Sequence, residues 1–280
     1  MKNPELVEQY HKRLMDLFRF FDKVCRENNI KYSAEGGTLL GAVRDHGMIP
    51  WDADIDVVFT PSELEKFKKA FEKYESRYYF NYIPNHYKGS RHKFIDVRAG
   101  RIVDKKCSDA IFGIDVFVID YLGDDLEYAK KTMKIYQRYY DMGFFTTSFH
   151  LPALRSNGKI RPKAVIARVL YPFFYICSKV LSPIYERSYM RFRKKRIDCN
   201  SENCKYITIE PFFGRFGIQE NTFLKDGYFD LPFGDTKIMC TKNYDMFLSV
   251  VYGNYMKLPP IEARVPYPSE DMLTSCVFED

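Results

Sequence analysis

The chain reads as an α/β (α+β) protein, with one mixed β-sheet and flanking helices in its N-terminal half and a mainly helical portion after it. Three observations carry this. Apolar residues recur at helical spacing through the first 28 positions. From about residue 30 to 142, short β-branched and aromatic runs alternate with capped helical stretches. After about Asp141 the character changes to Pro, Gly, Arg and Lys, then to a long aromatic and basic stretch, which places a boundary near 145 and divides the chain into 1–145 and 146–280.

Taken in order, Leu6, Tyr10, Leu14, Leu17, Phe18, Phe21 and Val24 predict a helix from about Pro4 to Asn28. Ile30–Ser33 reads as a strand, Gly36-Gly37 as a tight turn with positive φ, and Thr38–Arg44 as a helix start. A strand carrying Asp54 and Asp56 follows. Thr60-Pro-Ser-Glu63 is a capping box with proline at the first helical position, so the next helix runs to about Tyr74. Strands are predicted at 78–83, 93–97, 101–104 and 111–119, and a helix from Asp124 to Met142. Residues 151–163 read as a loop or lid. Ala164–Tyr185 is apolar but is interrupted by Arg168, Pro172, Lys179 and Pro183, which argues against a membrane-spanning helix. Six cations within ten residues, Arg187 to Arg196, follow it. The tail from Glu262, punctuated by Pro266 and Pro268, carries no chemistry.

Composition bounds the function classes. With 46% hydrophobic and 17% aromatic residues the chain is globular. Seven cysteines without paired spacing, and an amphipathic start instead of a secretory signal, fit free thiols in a reducing cytoplasm. Cys199, Cys204 and Cys240 would make only an incomplete zinc set. The net charge of +6 comes with no nucleic-acid-binding module and no aromatics concentrated at the basic run, so nucleic acid is not the expected partner.

The chemistry concentrates between Glu35 and Phe59. Asp54 and Asp56, two apart on a strand, share one face, where parallel carboxylates repel unless a hard cation such as Mg²⁺ or Mn²⁺ sits between them. Upstream, the amides of Gly36 and Gly37 and the positive end of the helix dipole are suited to phosphate, with Thr38 as a hydroxyl donor and Arg44 as a fork for phosphate or carboxylate. Trp51, the one tryptophan, lies between Pro50 and Asp52 and could stack on a base, face a cation, or anchor the loop; Asp52 joins it among the substrate-side candidates.

At these residues the chain resembles the LicD/fukutin family of phosphotransferases. Gly37-Thr-Leu-Leu-Gly-Ala-Val-Arg44 and Ile49-Pro-Trp-Asp-Ala-Asp-Ile-Asp56 match its motif, with Ala53 standing where an aspartate is usual. Lys93-Phe-Ile-Asp96, Ile114-Asp-Val-Phe-Val-Ile-Asp120, and Tyr244-Asp245, Leu248, Tyr252-Gly-Asn-Tyr255 and Pro259 extend the resemblance over roughly residues 5–262. It implies a nucleotidyltransferase-like fold and transfer of a substituted phosphate from a CDP-activated donor to a sugar hydroxyl. Phosphocholine from CDP-choline, delivered to lipopolysaccharide, teichoic acid or capsule, is the commonest case, and ribitol or ethanolamine phosphate are variants.

A third metal-binding carboxylate is then expected from a neighbouring strand. Asp115 lies alone in an apolar run, where a lone charge costs several kcal/mol unless paired or metal-bound. It is the candidate third ligand and general base, with Asp120 left open as the other third carboxylate; a buried ion pair with a basic residue such as Arg98 or Lys93 is the alternative for Asp115, and Asp120 at the strand end reads more readily as a cap or turn residue. Lys93 joins Arg44 as a phosphate contact. The acceptor could be lipid-linked, with the apolar and basic stretch 164–196 resting on an anionic membrane face. Two other readings share these residues: a nucleotidyltransferase using an NTP to modify a small molecule or RNA, and a catalytically silent binding protein.

Overall fold

The computed structural model describes residues 4–52, 54–74, 76–82, 99–106, 112–147, 155–156, 159–160, 162–197, 203–209, 217–221 and 226–264. The predicted strand at 93–97, with Lys93, lies outside them.

Helix α1 (Pro4–Glu27) buries Tyr10, Leu14, Leu17, Phe18, Phe21 and Val24 on one stripe. It stops where Asn29 turns left-handed (φ 53°) and the Ile30 amide reaches back to the Cys25 carbonyl at 2.8 Å, a helix-ending bond pattern that asparagine tolerates. Because Ile30 is occupied in this turn, β1 is confined to Ser33–Ala34. Helix α2 (Gly36–Arg44) begins at Gly36, which takes the positive φ of 53°, so turn and helix merge and Gly37 is already helical.

Strand β2 (Ile55–Phe59) leads through Thr60 into α3 (Pro61–Phe71). Thr60 caps α3 by accepting the Glu63 amide at 3.3 Å, as the capping box predicts. Its expected reciprocal bond is replaced: the Glu63 carboxylate accepts the Lys31 amide at 2.8 Å and ties α3 to the approach to β1.

Strands β3 (Tyr78–Tyr82), β4 (Gly100–Asp104) and β5 (Ile114–Val118) complete a five-stranded sheet in the order β1-β2-β5-β4-β3, with β2 and β5 parallel and the other pairs antiparallel. One face, bearing Ile55, Val57 and Phe59, packs under α1 and α3. There Phe59 meets Phe21 and Phe67 at ring separations of 6.1 and 5.2 Å.

The predicted strand 111–119 does not run on. The Ile119 amide bonds the Phe59 carbonyl, and the chain then bends into β6 (Asp120–Gly123). This strand joins β9 (Tyr206–Thr208) and β10 (Gln219–Glu220) in a separate antiparallel sheet. The cause is at the bend. Asp120 is fully buried, not a solvent-facing cap or turn residue: Tyr136 on α4 (Leu126–Thr147) donates its hydroxyl to it, and Arg193 on α5 (Pro162–Ile197) pairs with it at 3.4 Å.

Helix α5 continues unbroken through Pro172 and Pro183 for 36 residues. Within 151–163, before α5 begins at Pro162, the described residues form a small pair of strands, β7 (Arg155–Ser156) and β8 (Lys159–Ile160). Among the described residues no helix is long and apolar enough to cross a membrane. The chain then returns to the N-terminal sheet. In the hairpin β11 (Tyr228–Phe233) and β12 (Thr236–Thr241), the Thr241 amide bonds Ser33 Oγ at 3.0 Å and the Met239 amide bonds the Tyr32 hydroxyl at 3.3 Å. Helix α6 (Tyr244–Tyr252) follows.

Candidate active site

The sheet register assembles the site. Asp56 on β2 lies directly opposite Asp115 on β5, Asp115 opposite Arg101 on β4, and Arg101 opposite Asn81 on β3. Residues facing one another across strands share a face, so one polar row crosses four strands on the side away from α1 and α3. Asp54 projects to this face two residues before Asp56. Asp115 and Arg101, with side chains 14% and 5% exposed, form an ion pair. The expected alternative for Asp115 is thus realised with Arg101 as its partner. Sequence reading placed Arg101 on a strand but could not supply the register that sets it beside Asp115.

The loop 45–52 is folded to bring Asp52 in as well. The Asp52 amide bonds the Ile49 carbonyl at 2.9 Å across a turn with Pro50 at its second position, where a fixed φ is favoured. His11 of α1 bonds the Asp52 carbonyl. A Cβ placed on Gly37 would stand 2.7 Å from Asp52 Oδ2, so glycine is what allows this carboxylate to approach the start of α2 so closely. At Gly41 a Cβ would stand 2.5 Å from the Gly47 carbonyl oxygen; here glycine lets the loop fold back on the helix.

The electrostatics are those of crowded acids. Burial, then the charge and hydrogen bond of Asp52, then Asp115, push the Asp54 carboxyl up to about 9. Asp56 is raised well above the carboxylate range by burial and by Asp54, Asp115, Glu35 and Asp52. Glu35, buried just before α2, is thus a fifth carboxylate bearing on the site. A set of acids that hold one another's protons in this way is what a divalent cation relieves, and oxygen ligands of this kind suit Mg²⁺ or Mn²⁺. Among the described residues no three side chains are already gathered into a metal cage. The fit rests on donor chemistry and charge.

The remaining candidates fall around this row. Thr38 is buried, and its hydroxyl oxygen accepts the Asp56 amide at 2.9 Å, so it pins the helix start to the acidic strand. Asp56 Oδ2 and the Tyr252 hydroxyl each come to 3.8 Å from where a Cβ on Gly36 would be, which brings the end of α6 to the site. Arg44 forks onto Asp45, with contacts of 2.8 to 3.2 Å, the carboxylate option of its two expected roles. Trp51 packs against the core with the guanidinium groups of Arg44 and Arg264 at 5.9 and 5.4 Å from its ring, so two cations of the protein already address this indole. Lys93 lies outside the described residues. Glu35, Arg101, His11, Tyr252 and Arg264 were not singled out as site residues from sequence; Tyr252 alone had a signal, in the C-terminal motif.

A cleft of about 670 Å³ between α3 and β3 has Phe71, Tyr74, Tyr78 and Lys105 in its lining and shares none of its lining residues with the acidic row.

Comparison with known proteins finds similarity over the part of the chain that carries this row. Residues 29–150 match the domain described as LicD/FKTN/FKRP, nucleotidyltransferase domain, a span that contains Glu35, Asp52, Asp54, Asp56, Arg101 and Asp115. The lipopolysaccharide cholinephosphotransferase LicD of Haemophilus influenzae is 26% identical over 262 residues, 90% of this chain and 92% of the relative. Uncharacterized proteins of Rickettsia typhi and Rickettsia prowazekii are each 42% identical over short stretches of 57 and 59 residues, about a fifth of this chain. Over residues 29–150, which hold the acidic row, the chain is thus similar to the LicD/FKTN/FKRP nucleotidyltransferase domain, and along nearly its whole length it is similar to a lipopolysaccharide cholinephosphotransferase.

Proposed function

We propose that this phosphotransferase moves phosphocholine from CDP-choline to a sugar hydroxyl of a cell-surface glycan, with CMP as the leaving group, using a divalent cation that Asp54, Asp56 and Asp115 would hold. The observation that carries the proposal is the row Asp56, Asp115 and Arg101 across adjacent strands, with Asp52 and Asp54 at its mouth. The near full-length alignment with a lipopolysaccharide cholinephosphotransferase supports the choice of transferred group.

Mg²⁺ or Mn²⁺ bound there would neutralise charge on the donor diphosphate. The chain's own groups do the rest. Asp115, oriented by its Arg101 pair, is placed to take the proton of an acceptor hydroxyl. The first amides of α2, at Gly36 and Gly37, and the positive end of its dipole face anionic oxygens. Arg44 and Lys93 are assigned to donor phosphate, with Arg44 released from Asp45 for the purpose. Thr38 fixes the height of Asp56 relative to α2. The reaction belongs in the cytoplasm, where CDP-activated donors are made.

A thermal-shift panel tests this: CMP, CDP-choline, CDP-ethanolamine, CDP-ribitol, ATP and GTP, each with Mg²⁺ or EDTA, on wild type and Asp54→Asn. A ligand at about 100 times its Kd adds roughly 2.7 kcal/mol of stability. Stabilisation by CDP-choline that needs Mg²⁺ and Asp54 is the expected result. Stabilisation by ATP or GTP alone would transfer the assignment to nucleotidyl transfer.

A further inference from the structure

Helix α5 carries a seam that the active site does not use. Val165, Val169, Phe173, Ile176, Val180 and Ile184 recur at intervals of four, four, three, four and four residues, and all are exposed, Val169 by 73% and Phe173 by 64%. At 100° per residue they fall within one arc of about 100° along roughly 28 Å of axis. A monomeric soluble surface rarely leaves so long a continuous apolar strip bare.

The same arc continues into Arg187, Arg191 and Lys194, which are exposed as well. The opposite side of this last section is committed to the body: Arg193 pairs with Asp120, and Arg196 bonds the Tyr128 hydroxyl and stands over the Phe192 ring. The basic run therefore divides by face, with two cations structural and the rest turned outward.

Charge is concentrated to an unusual degree on this helix. It holds nine of the chain's 43 Lys and Arg residues and, in Glu186, one of its 37 acids, which leaves the remainder of the protein with 34 cations and 36 anions. The net positive charge of the molecule thus resides in α5.

We propose that this seam is a membrane-docking face, with the apolar stretch 165–184 set into the acyl boundary of an anionic bilayer and Arg187, Arg191 and Lys194 held at the level of its phosphate headgroups. An apolar strip that ends in outward cations matches the two layers of such a surface. A second copy of the chain fits less well. Parallel pairing of two seams sets the three cations against their own kind, and antiparallel pairing sets them on bare apolar surface. The proposal goes beyond the transferase reading and does not depend on it.

The test is co-sedimentation of the full chain with phosphatidylcholine vesicles, with or without about 30% phosphatidylglycerol, in EDTA and without any donor. Neither transferase activity nor cation binding enters, so its outcome is separable from that of the proposed reaction. Binding should need the anionic lipid and should fall about tenfold between roughly 0.1 and 0.5 M salt. Phe173→Glu with Ile176→Glu, and separately Arg191→Glu with Lys194→Glu, should each abolish it while leaving the melting temperature unchanged, since all four side chains are exposed. No binding by wild type, or binding indifferent to both double variants, overturns the proposal. So does a concentration-dependent dimer that the Phe173 and Ile176 changes break, in the absence of vesicle binding; that result would assign the seam to a second copy.

Discussion

Asp115 and Asp120 are five residues apart on successive strands, both largely withdrawn from water, and their surroundings are opposite in kind. Asp120 is neutralised within the protein: Arg193 supplies the positive charge and Tyr136 a hydroxyl, so the buried group is satisfied by its own fold. Asp115 also has an arginine, Arg101, and beside this pair the described residues crowd Asp52, Asp54 and Asp56. A buried charge balanced from within is architecture. Acids crowded together and raised by one another are a candidate for charge from outside.

The sharpest way to break this comparison is at Asp54. Asp54→Asn should lower transfer by about 10³-fold or more, the scale of losing several kcal/mol of charge stabilisation, while the circular dichroism spectrum and cooperative unfolding persist. Turnover close to wild type would remove the acidic row from the mechanism.

Next are the two arginines. Arg193→Met leaves Asp120 buried and uncompensated and should cost about 3–5 kcal/mol in urea denaturation, with or without Mg²⁺. Arg101→Met should also destabilise the protein in EDTA, but Mg²⁺ should recover most of that loss, because the ion can supply the charge the arginine gave. Equal recovery of both variants, or of neither, would erase the distinction between the two carboxylates.

Gly37→Ala is a gentler probe of the mouth. The new methyl displaces only the far end of the Asp52 side chain, so the fold should hold while cation affinity by calorimetry weakens about tenfold, the lower range for disturbing groups that orient ligands. An unchanged affinity would make Asp52 a bystander.

The smallest effect is on the pH dependence of stability. Asp54 is raised to about 9 in the folded protein, above its unfolded carboxylate range, so the folded state keeps a proton that the unfolded state has lost. Its contribution is fully present below the ordinary carboxylate range, near pH 4, and is lost as pH rises through about 9. In EDTA the melting temperature of wild type should therefore decline more steeply over this interval than that of Asp54→Asn. Saturating Mg²⁺ should flatten the wild-type curve. A steeper decline in Asp54→Asn would contradict the assigned sign.

What could be read from the sequence divides along the same line. Local features were legible: the apolar stripe of α1, the Thr60 cap and the shared face of Asp54 and Asp56 follow from periodicity and side-chain chemistry within a few residues. Register and long-range return were not. Nothing local says that Arg101 will face Asp115, that the apolar run after Ile111 will bend at Ile119 into another sheet, or that Glu63 will cap the Lys31 amide instead of closing its own box. Each is decided by tertiary contacts between residues tens of positions apart. The stretch 164–185 was legible only in part: its interruptions argued against a membrane-spanning helix, but not that one helix, α5, would run through Pro172 and Pro183 and keep its outward seam in phase.

The hydrogen bond from the Thr241 amide to Ser33 Oγ joins residues 208 positions apart, and Tyr252 reaches Gly36 from farther still. At roughly 5–20 residues per second of synthesis, about 10–40 s separate the birth of the acidic strand from that of the hairpin that closes beside it. During that interval a growing chain carries its crowded carboxylates without their C-terminal cover. A translation product halted before α6 would hold the acids of β2 and β5 but lack the Tyr252 hydroxyl that stands beside Gly36.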